Sequence, residues 1–221
     1  MAVATAQGAD VRVDELNTAI CGGLLGVSDT FASAIWGTDV LFGLAQAGVR
    51  RAHFHTWTGA RYAPVEFGSG PARVRPLFYA MLLFNRATPD GSRLLPVGPN
   101  PPGARLKTWA TVDGAGTRRV VVINKDPKGA RKVILRVAGA GRVARVERLQ
   151  ARSLRSTGGV TLGGQSYGTT TKDGVLRGDR VVERVLSQGC AFTLAMPPGS
   201  AALMTIGSAA REGPPLPRRA R

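Results

Sequence analysis

Two carboxylates, a pair of histidines and a glycine turn are the residues of this 221-residue chain whose types and spacing could do chemistry. Asp14 and Glu15 close the run DVRVDEL (10–16), and the turn CGGLLG (21–26) follows after a short gap. A carboxylate at a strand end can act as a nucleophile or as a general base. The glycines beside it carry no Cβ, so their backbone N–H groups can come close to an anion. His53 and His55 stand in RRAHFHT (50–56), where strand alternation sets both on one face and Ala52 and Phe54 on the other. An H-x-H pair could ligate a metal, but no Asp, Glu or Cys lies at ligand spacing from it, and no metal is expected. Neither CGGLLGV nor TLGGQS carries the GK[ST] or GxGxxG pattern of a nucleotide loop, and no cofactor is expected. Trp36, Trp57 and Trp109 are isolated, and Trp57 could stack on a sugar or pack in a core. Cys21 and Cys190 form no CxxC pair, which leaves a long-range disulfide open and the compartment unassigned.

These residues need elements to hold them. Val11 and Val13 alternate with polar neighbours, as in a short strand. In SDTFASAIWGTDVLFGLAQAG the apolar positions Phe31, Ala34, Ile35, Leu41, Phe42 and Ala45 recur at helical spacing. The spacing predicts a helix over 29–47, capped by Ser28 and closed at Gly48. RRAHFHT is a second strand, and Pro76 opens a second helix over 76–87, apolar nearly all round. Strand, helix, strand, helix is the repeat of a parallel sheet or a (β/α) barrel. Two such units cannot close a barrel or bury both helices, so the isolated chain is expected to expose apolar helix faces and to be poorly soluble.

After residue 90 the pattern becomes short period-two or β-branched runs such as LKTWATV, RRVVVINKD, RKVILRV, CAFTLAM and AALMTIG. Turn signals such as PDG, DGAG, KDPKG and PPG separate them, which predicts an antiparallel β-sandwich over 92–207 with no helix in 105–150. The predicted organisation is α/β plus all-β: two βα units over 1–90, a β-sandwich domain over 91–208, and a disordered basic Pro-rich tail over 209–221.

The formal net charge is +16, from 30 Lys and Arg against 14 Asp and Glu. Such an excess suits a polyanion partner, but the basic residues are scattered along the sequence and nearly all are Arg. The Ala, Gly, Arg and Val bias is that of a GC-rich genome. Aromatic residues do not interleave with the basic ones, so nucleic acid is not expected as a partner. No apolar run reaches the ~20 residues of a membrane span, and the opening MAVATAQGADVRVDE is not a secretory signal.

The segment ELNTAICGGLLGVSDTFASAIWGTDVLFGLAQAGV resembles the nucleophile strand, glycine turn and following helix of glycoside hydrolase family 79, the heparanase and bacterial β-glucuronidase family. The resemblance runs on through HFHT, GARYAPVEF, RPLFYAMLLF, VVVINKD, GVTLGGQSYG and SAALMT, covering nearly the whole chain. It implies the last two βα units of a (β/α)8 barrel followed by the family's C-terminal β-domain. It also implies a retaining mechanism on β-linked uronic acid glycosides, with Glu15 as nucleophile. Gly22, Tyr62 and His55 would be substrate-binding, the first two toward the uronate carboxylate. The family's acid/base is the Glu of an Asn-Glu pair on an earlier barrel strand, and this sequence contains no such pair. The missing N-terminal barrel segment is therefore an expected partner, and the chain alone is expected to be inactive. Cys21 departs from the family, which has a third glycine there in heparanase. The alternative is a β-sandwich relic kept as a stabilising or glycan-binding module.

Overall fold

The computed structural model describes residues 6–99, 102–103 and 105–209, so the predicted tail beyond Ala209 lies outside the described residues. Strand β1 (Val11–Leu16) pairs in parallel with β2 (Val49–Phe54), and helix α1 (Phe31–Gln46) connects them. This is one βαβ unit. Gly48 ends the helix as predicted, with φ +83° in the left-handed region where a glycine costs least. The start differs from expectation. The helix begins at Phe31, and Ser28 does not cap it, because its Oγ accepts the Leu24 N–H at 2.9 Å inside the preceding turn. The free N–H groups of Phe31 and Ala32 donate instead to the carbonyls of Ser156 and Leu154, at 2.7 and 2.9 Å. Main chain from far along the sequence thus meets the donors that a helix start leaves open.

Pro76 opens α2 (Pro76–Ala87) at its first turn, where its missing N–H is no loss. The two helices cross at Gly37, where an added Cβ would stand 2.6 Å from Leu77 Cδ1 and 3.0 Å from Ala80 Cβ. Between β2 and α2 lie two short strands, β3 (Val65–Glu66) and β4 (Ala72–Val74). They form a three-stranded sheet with the later β11 (Thr170–Thr171). Such short pieces carry no periodicity that a sequence reading could find.

The rest is antiparallel β, with no helix in 105–150 among the described residues. The main sheet has seven strands: β5 (Arg93–Leu95), β6 (Leu106–Val112), β7 (Arg118–Asn124), β9 (Ala140–Gln150), β10 (Thr161–Leu162), β12 (Glu183–Leu186) and β14 (Ser200–Ser208). A second sheet pairs β8 (Arg131–Arg136) with β13 (Ala191–Met196). Alternation splits the apolar run of β7 between two cores. Val120 and Val122 face β8–β13 with Phe192, Leu194, Met196, Met204 and Ile206. Val121 and Ile123 face the helices with Phe31, Phe42, Tyr79, Leu83, Trp109 and Leu203. The main sheet is thus covered by a small sheet on one side, sandwich-like, and by α1 and α2 on the other.

This changes one expectation. The main sheet buries one side of each helix, and exposed apolar helix surface is confined to the Trp36, Val40 and Leu44 side of α1. Phe42 stacks on Trp109 at 5.7 Å and 14°, and Asp39 of α1 accepts the Trp109 indole N–H at 2.8 Å and pairs with Lys125. On α2, Arg86 reaches the buried Glu147 at 2.7 Å, and the Tyr79 hydroxyl bonds Ser166 Oγ and accepts the Tyr167 N–H. Uncovered apolar surface lies in the turn residues Ile20, Leu24 and Leu25, in Phe67, and in a cleft of about 640 Å³ along that side of α1. The β1–β2 pair itself contains no fully buried residue, although parallel strands are normally buried on both faces.

Candidate active site

Glu15 sits near the C-terminal end of β1, and a register slip re-aims it. Val13 pairs with Ala52 but Leu16 pairs with Phe54, so Asp14 and Glu15 together oppose His53. A bulge of this kind turns a side chain away from strict alternation and is common beside active sites. Both Asp14 and Glu15 are consequently exposed. Glu15 Oε1 lies 3.0 Å from His55 Nδ1, at the end of the neighbouring strand, and accepts the Asn17 side-chain amide at 2.8 Å. Two groups therefore fix one carboxylate oxygen. The carboxylate stays open to solvent, with 62% of the Glu15 side chain exposed.

His55 is held in turn by aromatic rings. Trp57 meets it edge-on at 4.8 Å between centroids, and Tyr62 lies 6.1 Å away at 31°. Trp57 also packs edge-on against Tyr62 at 5.7 Å. Of these two, Tyr62 is buried and forms the floor of the cluster, while Trp57 is nearly half exposed. The glycine turn closes the other side. Cys21, Gly22 and Gly23 have φ of +55°, +82° and +91°, three left-handed residues in succession. A Cβ at Gly22 would also stand 3.3 Å from Trp57 Cζ2, closer than ordinary contact. At Gly23 a Cβ would come within 3.0 Å of Tyr62 N. The Gly22 carbonyl accepts the Arg61 N–H at 2.7 Å, tying the turn to the loop that carries Trp57 and Tyr62. Cys21, where the family resemblance expects glycine, is thus one of the few described non-glycine residues in the left-handed region.

The four residues that the resemblance assigns to the site, Glu15, Gly22, His55 and Tyr62, lie in this one cluster. Asn17 was not assigned a role from sequence, and Trp57 was left between sugar stacking and core packing. The signal for Asn17 was its i, i+2 spacing from Glu15 in extended chain. His53 is exposed and takes no part in the cluster's hydrogen bonds. Among the described residues no group of three or more His, Cys, Asp or Glu is placed to hold a metal ion, and both cysteines are free and exposed. Asn17 Oδ1 and Thr18 Oγ1 are buried without a hydrogen-bond partner, directly behind Glu15 in the chain. The arrangement offers an oriented, solvent-facing carboxylate beside an imidazole and an exposed indole. That is the equipment for nucleophilic or general-base attack on a polar ring stacked against an aromatic.

Part of the chain matches a known family, and its fold has solved counterparts. Residues 108–203 match the family model of the glycosyl hydrolase family 79 C-terminal beta domain. No curated protein matches the chain in sequence. Among solved structures, a 4-O-α-L-rhamnosyl-β-D-glucuronidase from Fusarium oxysporum 12S, in complex with Rha-GlcA, superposes with a TM-score of 0.78 at 20% identity, over 92% of this chain and 45% of that one. An α-L-arabinofuranosidase from Thermotoga maritima, solved with arabinose, gives 0.66 at 16% identity, over 94% and 45%. A family 30 subfamily 8 xylanase from Clostridium acetobutylicum gives 0.63 at 12%, over 94% and 45%. The chain therefore spans under half the length of these structures, and at such identities the likeness is one of fold.

Proposed function

We propose, starting from a family-79 β-domain fused to a βαβ unit that ends in an oriented carboxylate, that these residues are the C-terminal part of a retaining glycoside hydrolase of the β-glucuronidase type. Residues 1–90 supply the last two βα units of a (β/α)8 barrel, and 91–208 the C-terminal β-domain. The observation that carries this reading is Glu15 at the carboxyl end of its strand, held by His55 and Asn17 beside a glycine turn. Catalytic groups of such barrels stand at that end of the strands. Support for the barrel comes from the β1–β2 pair, which is parallel and has no buried residue of its own.

In this reading Glu15 attacks the anomeric carbon. The bond to the leaving oxygen breaks as an acid from an upstream barrel strand protonates it, and water then releases the sugar from Glu15. The two carboxyl groups of such a pair stand ~5–5.5 Å apart. His55 and Asn17 hold Oε1, which leaves Oε2 to attack. Trp57 offers its exposed face to the sugar ring. Gly22 and Tyr62 bound the pocket for the uronate carboxylate, with backbone N–H groups of the turn as donors.

The test is a chimera joining these 221 residues to the upstream barrel strands of the Fusarium glucuronidase. A uronic-acid-configured epoxide should label the peptide containing Glu15, and the label should vanish in Glu15→Gln. Turnover of an aryl β-glucuronide should fall by several orders of magnitude in that variant, as loss of a covalent nucleophile generally does. A label on Asp14, or substantial activity without Glu15, would overturn the assignment.

A further inference from the structure

The basic residues look scattered in the sequence, but strand register gathers a group of them. On the helix-covered side of the main sheet, Arg184 of β12 pairs directly with Arg145 of β9, which pairs with Thr205 of β14, which pairs with Arg119 of β7. Directly paired residues share a face, with Cβ atoms ~4.5–5.5 Å apart. The face is fixed by the neighbours: Ala144, Val146 and Val185 pack into the opposite core, while Leu149, Leu203 and Val121 pack toward the helices. The end of α2 borders this part of the sheet. Thr111, in line with Arg119, already bonds the carbonyl of Ala87, the last residue of α2. Two residues along β9, Glu147 is flanked by Arg86 and Arg180, and a cleft of about 310 Å³ opens among these residues, Gln165 and Thr205.

Of five guanidiniums on this face, three pair with two carboxylates: Arg86 and Arg180 with Glu147, and Arg119 with Asp113. Arg145 and Arg184 are exposed, stand directly opposite each other and form no ion pair among the described residues. Like charges directly opposed across strands destabilise a sheet, so this pair is a cost to the fold that an anion would relieve. We infer that this face is a docking surface for an acidic polysaccharide. Guanidinium forks match planar carboxylates, and sulfates, bidentately. The cleft also contains acceptors, the Thr205 and Gln165 side chains, for sugar hydroxyl donors. A DNA backbone has no hydroxyl donors to offer these acceptors, and the paired row carries no aromatic ring for bases to stack on. The surface lies in the β-domain and stands independently of the role of Glu15.

The test uses the 221-residue chain as it is. Binding of a hexa-uronate, a neutral xylohexaose and a DNA duplex is measured by calorimetry at low and moderate salt. The hexa-uronate should bind with a steep loss on added salt, and the neutral sugar should not bind. Arg145→Glu places a carboxylate opposite Arg184, so this variant should melt no lower than the parent while binding the hexa-uronate about tenfold or more weakly, as loss and reversal of a contacting charge does. The double variant Lys132→Glu/Arg136→Glu changes more charge on the outer face of β8 and should alter binding less than twofold. Equal weakening by the two variants would reduce the effect to net charge and overturn the surface. Absence of hexa-uronate binding would overturn it as well, and so would a duplex that binds more tightly through Arg145.

Discussion

Glu147 is the residue whose loss the fold should feel most sharply. It is buried in the main sheet, with 6% of its surface exposed, and accepts N–H bonds from Arg86 at 2.7 Å and from Arg180 at 3.0 and 3.1 Å. The two arms differ in environment. The Arg86 side chain is 20% exposed and bridges α2 to the sheet, whereas that of Arg180 is 59% exposed. Glu147→Gln leaves the mostly buried Arg86 guanidinium without its counter-charge, and breaking a buried pair from one side costs ~3–5 kcal/mol. The exposed arm belongs with surface pairs, worth ~0–1 kcal/mol. Glu147→Gln should therefore lose about 3 kcal/mol, a large share of the ~5–15 kcal/mol typical of a folded domain. At ~2–4 °C per kcal/mol for a chain of this size, the midpoint should fall by about 6–12 °C. Arg180→Ala should cost no more than about 1 kcal/mol. Replacing both buried partners, as Arg86→Met/Glu147→Leu, should recover most of the loss, because no lone charge remains inside. Urea unfolding followed by circular dichroism, with slopes compared between variants, measures each value. A Glu147→Gln loss below about 0.5 kcal/mol would refute the reasoning, and so would a double variant as unstable as the single one.

At Gly37, alanine is the better helix former by ~1 kcal/mol, yet its methyl would stand 2.6 Å from the buried Leu77 Cδ1. Gly37→Ala should lower the melting temperature, and an unchanged or higher value would show that the crossing relaxes freely. Cys21 holds φ +55°, so Cys21→Gly should change stability by less than about 1 kcal/mol, relief of backbone strain offsetting added chain entropy. Cys21→Val, β-branched, should be clearly less stable than either in the same urea assay. The Arg148 guanidinium bonds both oxygens of Glu183 at 2.8 and 2.9 Å and holds its carboxyl below the ordinary 4.5. A depressed carboxyl contributes stability above its unfolded value, and that contribution is lost as pH falls through the folded one. Stability of the parent should thus decline below about pH 4.5, and Glu183→Gln should flatten that decline without changing its direction above it.

The strand ends that carry Glu15 and His55 were legible because alternation and turn residues mark them. So were the strands of the β-domain, whose alternating apolar runs need no partner to be recognised. The run RRVVVINKD was legible as a strand, and the structure buries Val120–Ile123 on both faces. The bulge at Asp14 and Glu15 was not legible. It depends on how β1 meets β2, and no local pattern records a one-residue slip between parallel strands. Ser28 reads as a cap by type and position, but its hydroxyl is taken by the tighter turn that ends at Val27. Strand β12 (ERVL) escaped because it is an edge strand with mostly exposed side chains. The Arg row on the sheet was hidden for the same reason as the bulge. Its members lie on three strands, and only register brings them into line.

The first turn of α1 is sealed by the carbonyls of Leu154 and Ser156 rather than by any side chain. A joint made of main chain has no letter in the sequence. Substitutions at 154 and 156 leave both acceptors in place, so a scan of point changes would report the packing of Leu154 and the Ser156 hydroxyl rather than this seam. Its sensitivity is to length: one residue inserted or deleted between β9 and β10 would move both carbonyls away from the helix start at once. Families that keep such a joint are free to vary every side chain along it, but must hold the loop's count of residues fixed.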